Sequence, residues 1–168
     1  NVAQICERCD MNHKSFYYHF KDKYDLVNWI FDTEFIALVK ENSPEADSYT
    51  YQERWAFIEK ICRYFYQNHS FYRKALQIRG QNSFRDHFRE YIQPLLAVRI
   101  SHLFGQEQMD QFTLDFFTDA VLGSMERWLL IKECVPPEEF VERIRKITEK
   151  SARSICRELD EAQQQTSE

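Results

Sequence analysis

The scarcity of glycine and proline constrains the fold of this chain more than any other feature. Its 168 residues include only three glycines and four prolines, and Glu, Gln, Leu, Arg and Lys, which favour helices, are common. Because glycine and proline mark most turns, such a sequence is typical of long helices joined by short connections. The hydrophobic fraction of 43% suits a globular protein of one domain or two small ones. The sequence therefore predicts an all-α fold.

Charge and cysteine usage narrow the class of protein. No apolar run approaches the ~20 residues that span a bilayer, and no charged-then-apolar leader is present. Five cysteines, an odd number scattered along the chain, suit free thiols in a reducing compartment. The net charge of −5 argues against indiscriminate nucleic-acid binding. We expect a cytoplasmic protein with no membrane partner.

The amino-terminal pattern predicts two short helices and a longer third one. Asn1 caps apolar or small residues at helical spacing up to Cys9, and residues 10–12 break that pattern. Asn12 is positioned to cap a second helix that ends near Phe20, and Asp22 to cap a third that ends near Lys40. Buried positions are predicted at Met11, Phe16, Phe20, Leu26, Ile30, Phe31 and Ile36.

Two short helices around a three-residue turn fit a helix-turn-helix, in which the second helix enters the DNA major groove. That helix needs one apolar face and an opposite face that carries hydrogen-bond donors. After the predicted buried positions are set aside, the side chains free to contact DNA are His13, Lys14, Ser15, Tyr17, Tyr18 and His19.

Residues 2–26, VAQICERCDMNHKSFYYHFKDKYDL, closely resemble the DNA-binding segment of the TetR family of regulators, and residues 16–23 are the most specific part. The resemblance implies base contacts for His13, Lys14 and Ser15, with Tyr18 beside them, and phosphate contacts for Tyr17, His19 and Lys23. A helix start beside an ammonium group also favours an anion at Lys23. Asp10 stands where the family usually has glycine, and Lys14 where small residues are frequent. The family has an earlier helix, so we expect the chain to begin inside the motif.

The remaining pattern predicts five further helices after a loop at residues 41–51. Pro94 is expected to kink or divide one of them, and Gly123 to mark a close helix crossing. The first of the five ends near Asn68, and the second covers residues 71–79 and stops at Gly80. The third runs from Phe84 to just before Gly105, the fourth covers residues 108–134, and the fifth starts at Pro137. The apolar stripe of the fourth is predicted at Phe112, Phe116, Ala120, Val121, Ser124, Trp128 and Ile131, and that of the fifth at Phe140, Ile144, Ile147, Ile155 and Leu159.

This organisation predicts a helix-turn-helix domain over residues 1–40 and a helical regulatory domain over residues 41–168. By the family resemblance, the last two long helices pair with those of a second copy, and the homodimer binds double-stranded operator DNA. An unidentified small-molecule or protein effector is expected in the second domain. Its candidate pocket residues, which alternatively form only core, are Trp55, Phe65, Tyr72, Phe84, Phe88, Tyr91, Phe112 and Phe116.

Several alternatives remain open. Cys6 and Cys9 with two histidines suggest a zinc site, or else both thiols fill small-residue positions. Asp115, Asp119 and Glu126 suggest a cation site or a solvated helix face. A helical adaptor that senses a partner protein without binding DNA is the second candidate function. No phosphate-binding glycine loop or nucleophile elbow occurs, so the prediction is no enzyme, no metal and no cofactor.

Overall fold

The computed structural model describes the backbone of residues 1–42, 50–78, 83–104 and 110–165. Within them the chain forms helices and no strand, which confirms the all-α prediction. The helices are α1 (Val2–Arg8), α2 (His13–His19), α3 (Lys23–Asn42), α4 (Tyr51–Gln67), α5 (His69–Leu76), α6 (Phe84–Phe104), α7 (Gln111–Leu130) and α8 (Pro137–Gln165). None of these helices is both long and apolar enough to cross a bilayer.

The contacts group these helices into two compact units. The first contains Asn1–Glu41 and Asn68–Cys134, and therefore α1 to α3 and α5 to α7. The second contains Asn42–Gln67 and Val135–Glu168, and therefore α4 and α8. The functional division into residues 1–40 and 41–168 stays a prediction.

The first three helices begin where their capping residues predict. Asn1 and Gln4 form a capping box at the start of α1. The Asn12 side chain accepts a hydrogen bond from the Ser15 amide at 2.8 Å, and the Asp22 carboxylate accepts from the next turn of α3. Asp10 has φ +48° in the turn between α1 and α2, the left-handed region where the family's glycine is unstrained. Two short helices joined by a turn are therefore present where the sequence pattern predicts them.

An aromatic cluster around Phe31 forms the core of the first unit. Its ring stacks on Phe35 at 4.7 Å between centroids, and meets Phe84 and Phe88 of α6 edge-on at 5.4 and 5.6 Å. Tyr72 of α5 extends the cluster, 5.1 Å from Phe84. Each ring buried in this way contributes about 1.5–3 kcal/mol relative to exposure. The cluster therefore fixes α3 against α5 and α6.

The buried face of α3 differs in part from the prediction. Phe31 is buried as expected, but Leu26, Ile30 and Ile36 are only half-buried. Phe35 and Val39, which the prediction omitted, are buried instead because they follow Phe31 at four-residue intervals.

Helix α6 continues through Pro94, which lies on its exposed side. Of the two predicted effects of Pro94, a kink or a division, the division does not occur, and the kink stays a prediction. The α5 helix starts two residues earlier than predicted and ends at Leu76. Gly80 and Gly105, which were predicted to end helices, lie outside the described residues.

Helix α7 turns a different face to the core from the one predicted. Thr118, Leu122, Met125, Trp128 and Leu129 are buried, and of these only Trp128 belongs to the predicted stripe. Phe112 and Phe116 are 76% and 60% exposed. A Cβ built on Gly123 meets no atom within 4 Å, so the predicted close crossing at Gly123 does not occur within the described chain.

The second unit is an antiparallel pair of helices. Arg63, near the end of α4, lies 2.5 Å from Glu138 at the start of α8. Tyr51, at the start of α4, donates a hydrogen bond to Glu149, further along α8. Cys62, Phe65, Phe140 and Val141 are buried in this unit. In the predicted α8 stripe, Phe140 is buried, Ile144 half-buried and Ile147 exposed, while the side chains of Ile155 and Leu159 lie outside the description.

Candidate nucleic-acid interface

Helix α2 has one buried residue and an otherwise open surface. Phe16 is 1% exposed, whereas Tyr18 is 84% and Tyr17 57% exposed. At 100° per residue, Lys14 and Tyr18 point away from the side that Phe16 occupies. His13, Lys14 and His19 are exposed and Ser15 is half-buried. The six residues from His13 to His19 that were predicted to contact DNA therefore lie on one short helix, and all of them except Ser15 are exposed.

Contacts at the end of α2 fix its orientation against α3. The ring of Phe20 lies 5.5 Å from that of Phe16 and 5.6 Å from that of Trp29 on α3. The Lys21 amide donates to Asp25 Oδ2 at 2.9 Å. Because α3 is itself anchored in the aromatic cluster, these contacts hold the outward face of α2 in a defined direction.

Trp29 is a surface residue that the sequence prediction missed. It is 53% exposed although its ring contacts Phe20. The helical period contained the signal, since a residue two positions before buried Phe31 lies about 160° around the helix from it. Trp29 therefore extends the exposed aromatic surface from α2 onto α3.

Among the residues that the structure describes, no carboxylate pairs with the basic groups of this segment. Asp22 Oδ1 accepts from the Tyr24 and Asp25 amides at 2.7 and 2.9 Å, and Asp25 accepts from the Lys21 amide. The nearby carboxylates therefore satisfy backbone donors instead of lysines. In the described part of the chain no ion pair involves Arg8, His13, Lys14, His19, Lys21 or Lys23. The unpaired charges of Arg8, Lys14, Lys21 and Lys23 suit a polyanionic partner.

Hydrogen bonds within the chain already use some of the donors that were predicted to contact DNA. The Ser15 hydroxyl donates to Asn12 Oδ1 at 3.1 Å, so its proton is already used within the cap. The amides at the start of α3 are occupied by Asp22, so an anion there would depend on the Lys23 ammonium. That ammonium lies 4.9 Å from the centre of the Tyr24 ring and is exposed.

The structure does not gather the residues of the two metal hypotheses into a site. Cys6 is buried and Cys9 exposed, so Cys9 does not fill a packed small-residue position either. The described residues contain no group of three or more side chains arranged to hold a metal ion.

Asp115 and Asp119 do lie on one side of α7, but Arg89 of α6 pairs with both. Hydrogen bonds from Gln111, and then from Arg89 and Gln93, hold the pKa of Asp115 below its usual value. Glu126 pairs with Arg85 at 2.8 Å. These carboxylates serve α6–α7 packing.

The predicted effector aromatics divide between the two units. Trp55 and Phe65 belong to the second unit and the other six to the first. Tyr72, Phe84 and Phe88 are buried core and Tyr91 packs on Phe31, whereas Phe112 and Phe116 face solvent. A shallow surface depression with no room for an enclosed water molecule is lined by Tyr24, Val27, Ala75, Ile78 and Phe84. Only Phe84 connects that depression with the predicted set.

Comparisons with known proteins find similarity to transcriptional regulators. The family TetR_C_8, described as a transcriptional regulator C-terminal region, matches residues 53–150, more than half of the chain. The chain is also 30% identical over 78 residues to the HTH-type dhaKLM operon transcriptional activator DhaS of Lactococcus lactis subsp. lactis (strain IL1403). That match covers 46% of this chain and 38% of the relative, so the chain spans well under two thirds of it. No solved structure matches. Both matches are to transcriptional regulators and neither is to an enzyme.

Proposed function

We propose that this chain, which belongs to the TetR family of transcriptional regulators, binds a double-stranded DNA operator through α2 and is controlled by an effector. The observation that carries the proposal is the two-sided character of α2. Phe16 holds one side against the protein, and the opposite side presents Lys14 and Tyr18 to solvent. A helix of this kind fits the major groove.

Positioning on DNA and sequence selection are assigned to different residues. Tyr17, His19 and Lys23 contact phosphates and fix the orientation of the protein on the duplex. His13, Lys14 and Tyr18 reach the base edges, and Ser15 stabilises the start of the helix through Asn12. Since the whole chain carries a net charge of −5, the unpaired cations around α2 concentrate attraction to DNA at this surface.

A homodimer is the second part of the proposal. Phe112 and Phe116 lie within about 40° of each other and of Gly123 around α7, and both aromatic side chains are exposed. A second copy that packs on this face would bury the rings, and the missing side chain of Gly123 permits close approach. On α8 the exposed Ile147 supports the same role. A twofold dimer would present two recognition helices about one DNA turn, ~34 Å, or slightly more apart.

The packing of α3 supports the proposed effector control. Its first turn is capped by Asp22, next to α2, and its middle is packed on α6 through Phe31. The effector, a small molecule or a protein, would bind within residues 41–168. If it favours one position of α3 over another, it would change the affinity for the operator. Such a protein works in the cytoplasm, where it can reach DNA.

Operator selection from random DNA with the full-length protein, followed by gel shift, tests the proposal. We expect an enriched, roughly palindromic sequence, and we expect Tyr18→Ala to weaken binding to it. Lys40→Ala is the matched control, since Lys40 is exposed at the far end of α3. If no sequence is enriched, the regulator does not bind DNA itself, and the adaptor that senses a partner protein becomes the better explanation.

A further inference from the structure

The chemistry of the exposed side of α2 restricts which bases it can select. Each base pair shows its own pattern of donors, acceptors and methyl groups in the major groove. Adenine is best recognised by a carboxamide that donates and accepts at once, and the cytosine amino group by a carboxylate. Neither type of side chain occurs among the seven residues of α2, HKSFYYH.

The carboxamide next to α2 is also unsuited to adenine. Asn12 is exposed, but its Oδ1 accepts from both the Ser15 amide, at 2.8 Å, and the Ser15 hydroxyl, at 3.1 Å. Only its Nδ2 remains available, so it lacks the paired acceptor that the adenine amino group needs. The capping of α2 therefore removes the carboxamide oxygen nearest to the interface.

Lys14 and Tyr18 remain as the pair that points directly outward, one helical turn apart. An ammonium group donates only, and guanine is the base that presents two adjacent acceptors, N7 and O6. The Tyr18 ring offers a flat apolar face, which suits contact with the C5 methyl of thymine. The histidines and tyrosines of α2 also donate or accept single hydrogen bonds, but these discriminate less.

We propose that the operator half-site contains a guanine that Lys14 recognises through N7 and O6, next to a thymine whose methyl group contacts the Tyr18 ring. This inference rests on the proposed DNA binding by α2 and specifies the target of that binding. Lys14 is then the residue that determines specificity, while Lys23 adds affinity without base preference.

Base analogues test the two contacts separately, by fluorescence anisotropy on the selected operator. Replacing the guanine with 7-deazaguanine removes the N7 acceptor, and replacing the thymine with uracil removes the methyl group. Each replacement should weaken DNA binding by the wild-type protein, and the guanine replacement should do so by roughly tenfold. Lys14→Ala should be insensitive to 7-deazaguanine but still sensitive to uracil, and Tyr18→Ala should show the opposite pattern.

Altered specificity provides a second measurement. Operator selection with Lys14→Arg should keep the guanine, because a guanidinium donates to the same two acceptors, whereas Lys14→Gln should move the preference to adenine. Circular dichroism checks that the variants stay folded, which we expect because Lys14 is exposed.

The outcomes separate this inference from the function on which it rests. A selective operator with no guanine that responds to Lys14 variants overturns the inference and leaves DNA binding intact. An equal loss on 7-deazaguanine for wild type and Lys14→Ala does the same. If no operator is selected, the proposed function fails and this inference fails with it.

Discussion

His87 of α6 holds Asp32 of α3, with Nε2 of the histidine 2.6 Å from Oδ1 of the aspartate. The His87 ring also meets Phe31 edge-on, 5.8 Å between centroids. The pair is therefore the polar edge of the aromatic cluster that joins α3, the helix that follows α2, to the rest of the first unit.

Separating this pair should loosen α3. We expect Asp32→Ala and His87→Ala to be mutually dependent, with a coupling free energy of about 0.5–1 kcal/mol, because both side chains retain access to solvent. Urea unfolding of the two single variants and the double variant measures it. Strict additivity would show that the contact does not contribute to stability.

The cysteines should differ sharply in reactivity. Burial, aided by the charge of Glu59, raises the pKa of Cys62 from its usual value of 9.0 to about 12, so at pH 8 its thiolate fraction is only about 1 in 10⁴. Cys9 is exposed. Mass spectrometry of the native protein after brief alkylation should find Cys9 modified and Cys62 unmodified, and denaturation should remove the difference.

The same shift predicts how stability depends on pH. Since the folded state keeps the Cys62 thiol neutral, its contribution is complete below pH 9 and is lost as pH rises from 9 towards 12, where the unfolded thiol ionises first. Cys62→Ala should flatten that part of the stability profile, although it lowers stability overall by opening a small cavity. An unchanged slope would contradict this assignment.

How much of the fold the sequence predicts depends on which physical signal each helix carries. Asn12 and Asp22 are capping residues whose effect is local, and α2 and α3 begin where they indicate. Helix α7, by contrast, carries apolar residues on nearly all sides, so periodicity cannot decide between the face of Phe116 and that of Leu122. Its orientation depends on tertiary packing against α5 and α6, which no local pattern contains.

The exposure of the residues on α2 was predictable because it depends on local helix geometry. The outward position of Tyr18 follows from the helical period once Phe16 is taken as buried. The hydrogen bond from the Ser15 hydroxyl to Asn12 was not predictable, because Ser15 was equally suited to contact DNA or to close the cap.

Lys23 should contribute to affinity alone. Lys23 is exposed, and phosphate is the proposed target of its ammonium group. We therefore expect Lys23→Ala to weaken binding to specific and non-specific DNA alike. The slope of the logarithm of affinity against the logarithm of salt concentration should fall by about 1. Titrations at three salt concentrations measure it. A change of base preference instead would contradict the phosphate assignment.

The exposed face of α7 should control self-association. We expect Phe112→Ala and Phe116→Ala to raise the dissociation constant of the proposed homodimer by roughly tenfold or more each, as removal of central interface aromatics does in other complexes. Lys132→Ala, at an exposed position beyond the end of α7, is the control. Sedimentation equilibrium measures the effect, and identical association of all four proteins would exclude this face as the interface.

Two substitutions of Gly123 distinguish an effect on helix stability from an effect on self-association. In the described chain no atom beyond the neighbouring residues and backbone of α7 itself lies within 4 Å of a Cβ at this position, so Gly123→Ala should stabilise the isolated chain by up to about 1 kcal/mol. Gly123→Leu places a larger side chain between Phe116 and the proposed partner and should weaken the dimer. If Leu is tolerated in sedimentation, no partner helix approaches closely at Gly123.

Substitutions of Phe16 and Tyr18, two residues apart on α2, should affect stability and DNA binding differently. Phe16 is the buried residue of α2, so Phe16→Ala should cost about 3–5 kcal/mol of stability and abolish DNA binding because the helix loses its support. Tyr18 is exposed, so Tyr18→Ala should leave the unfolding midpoint within about 0.5 kcal/mol of wild type and still weaken operator binding. Measuring both properties on both variants distinguishes support from contact. If Tyr18→Ala binds the operator like wild type, the outward face of α2 is not the surface that reaches DNA.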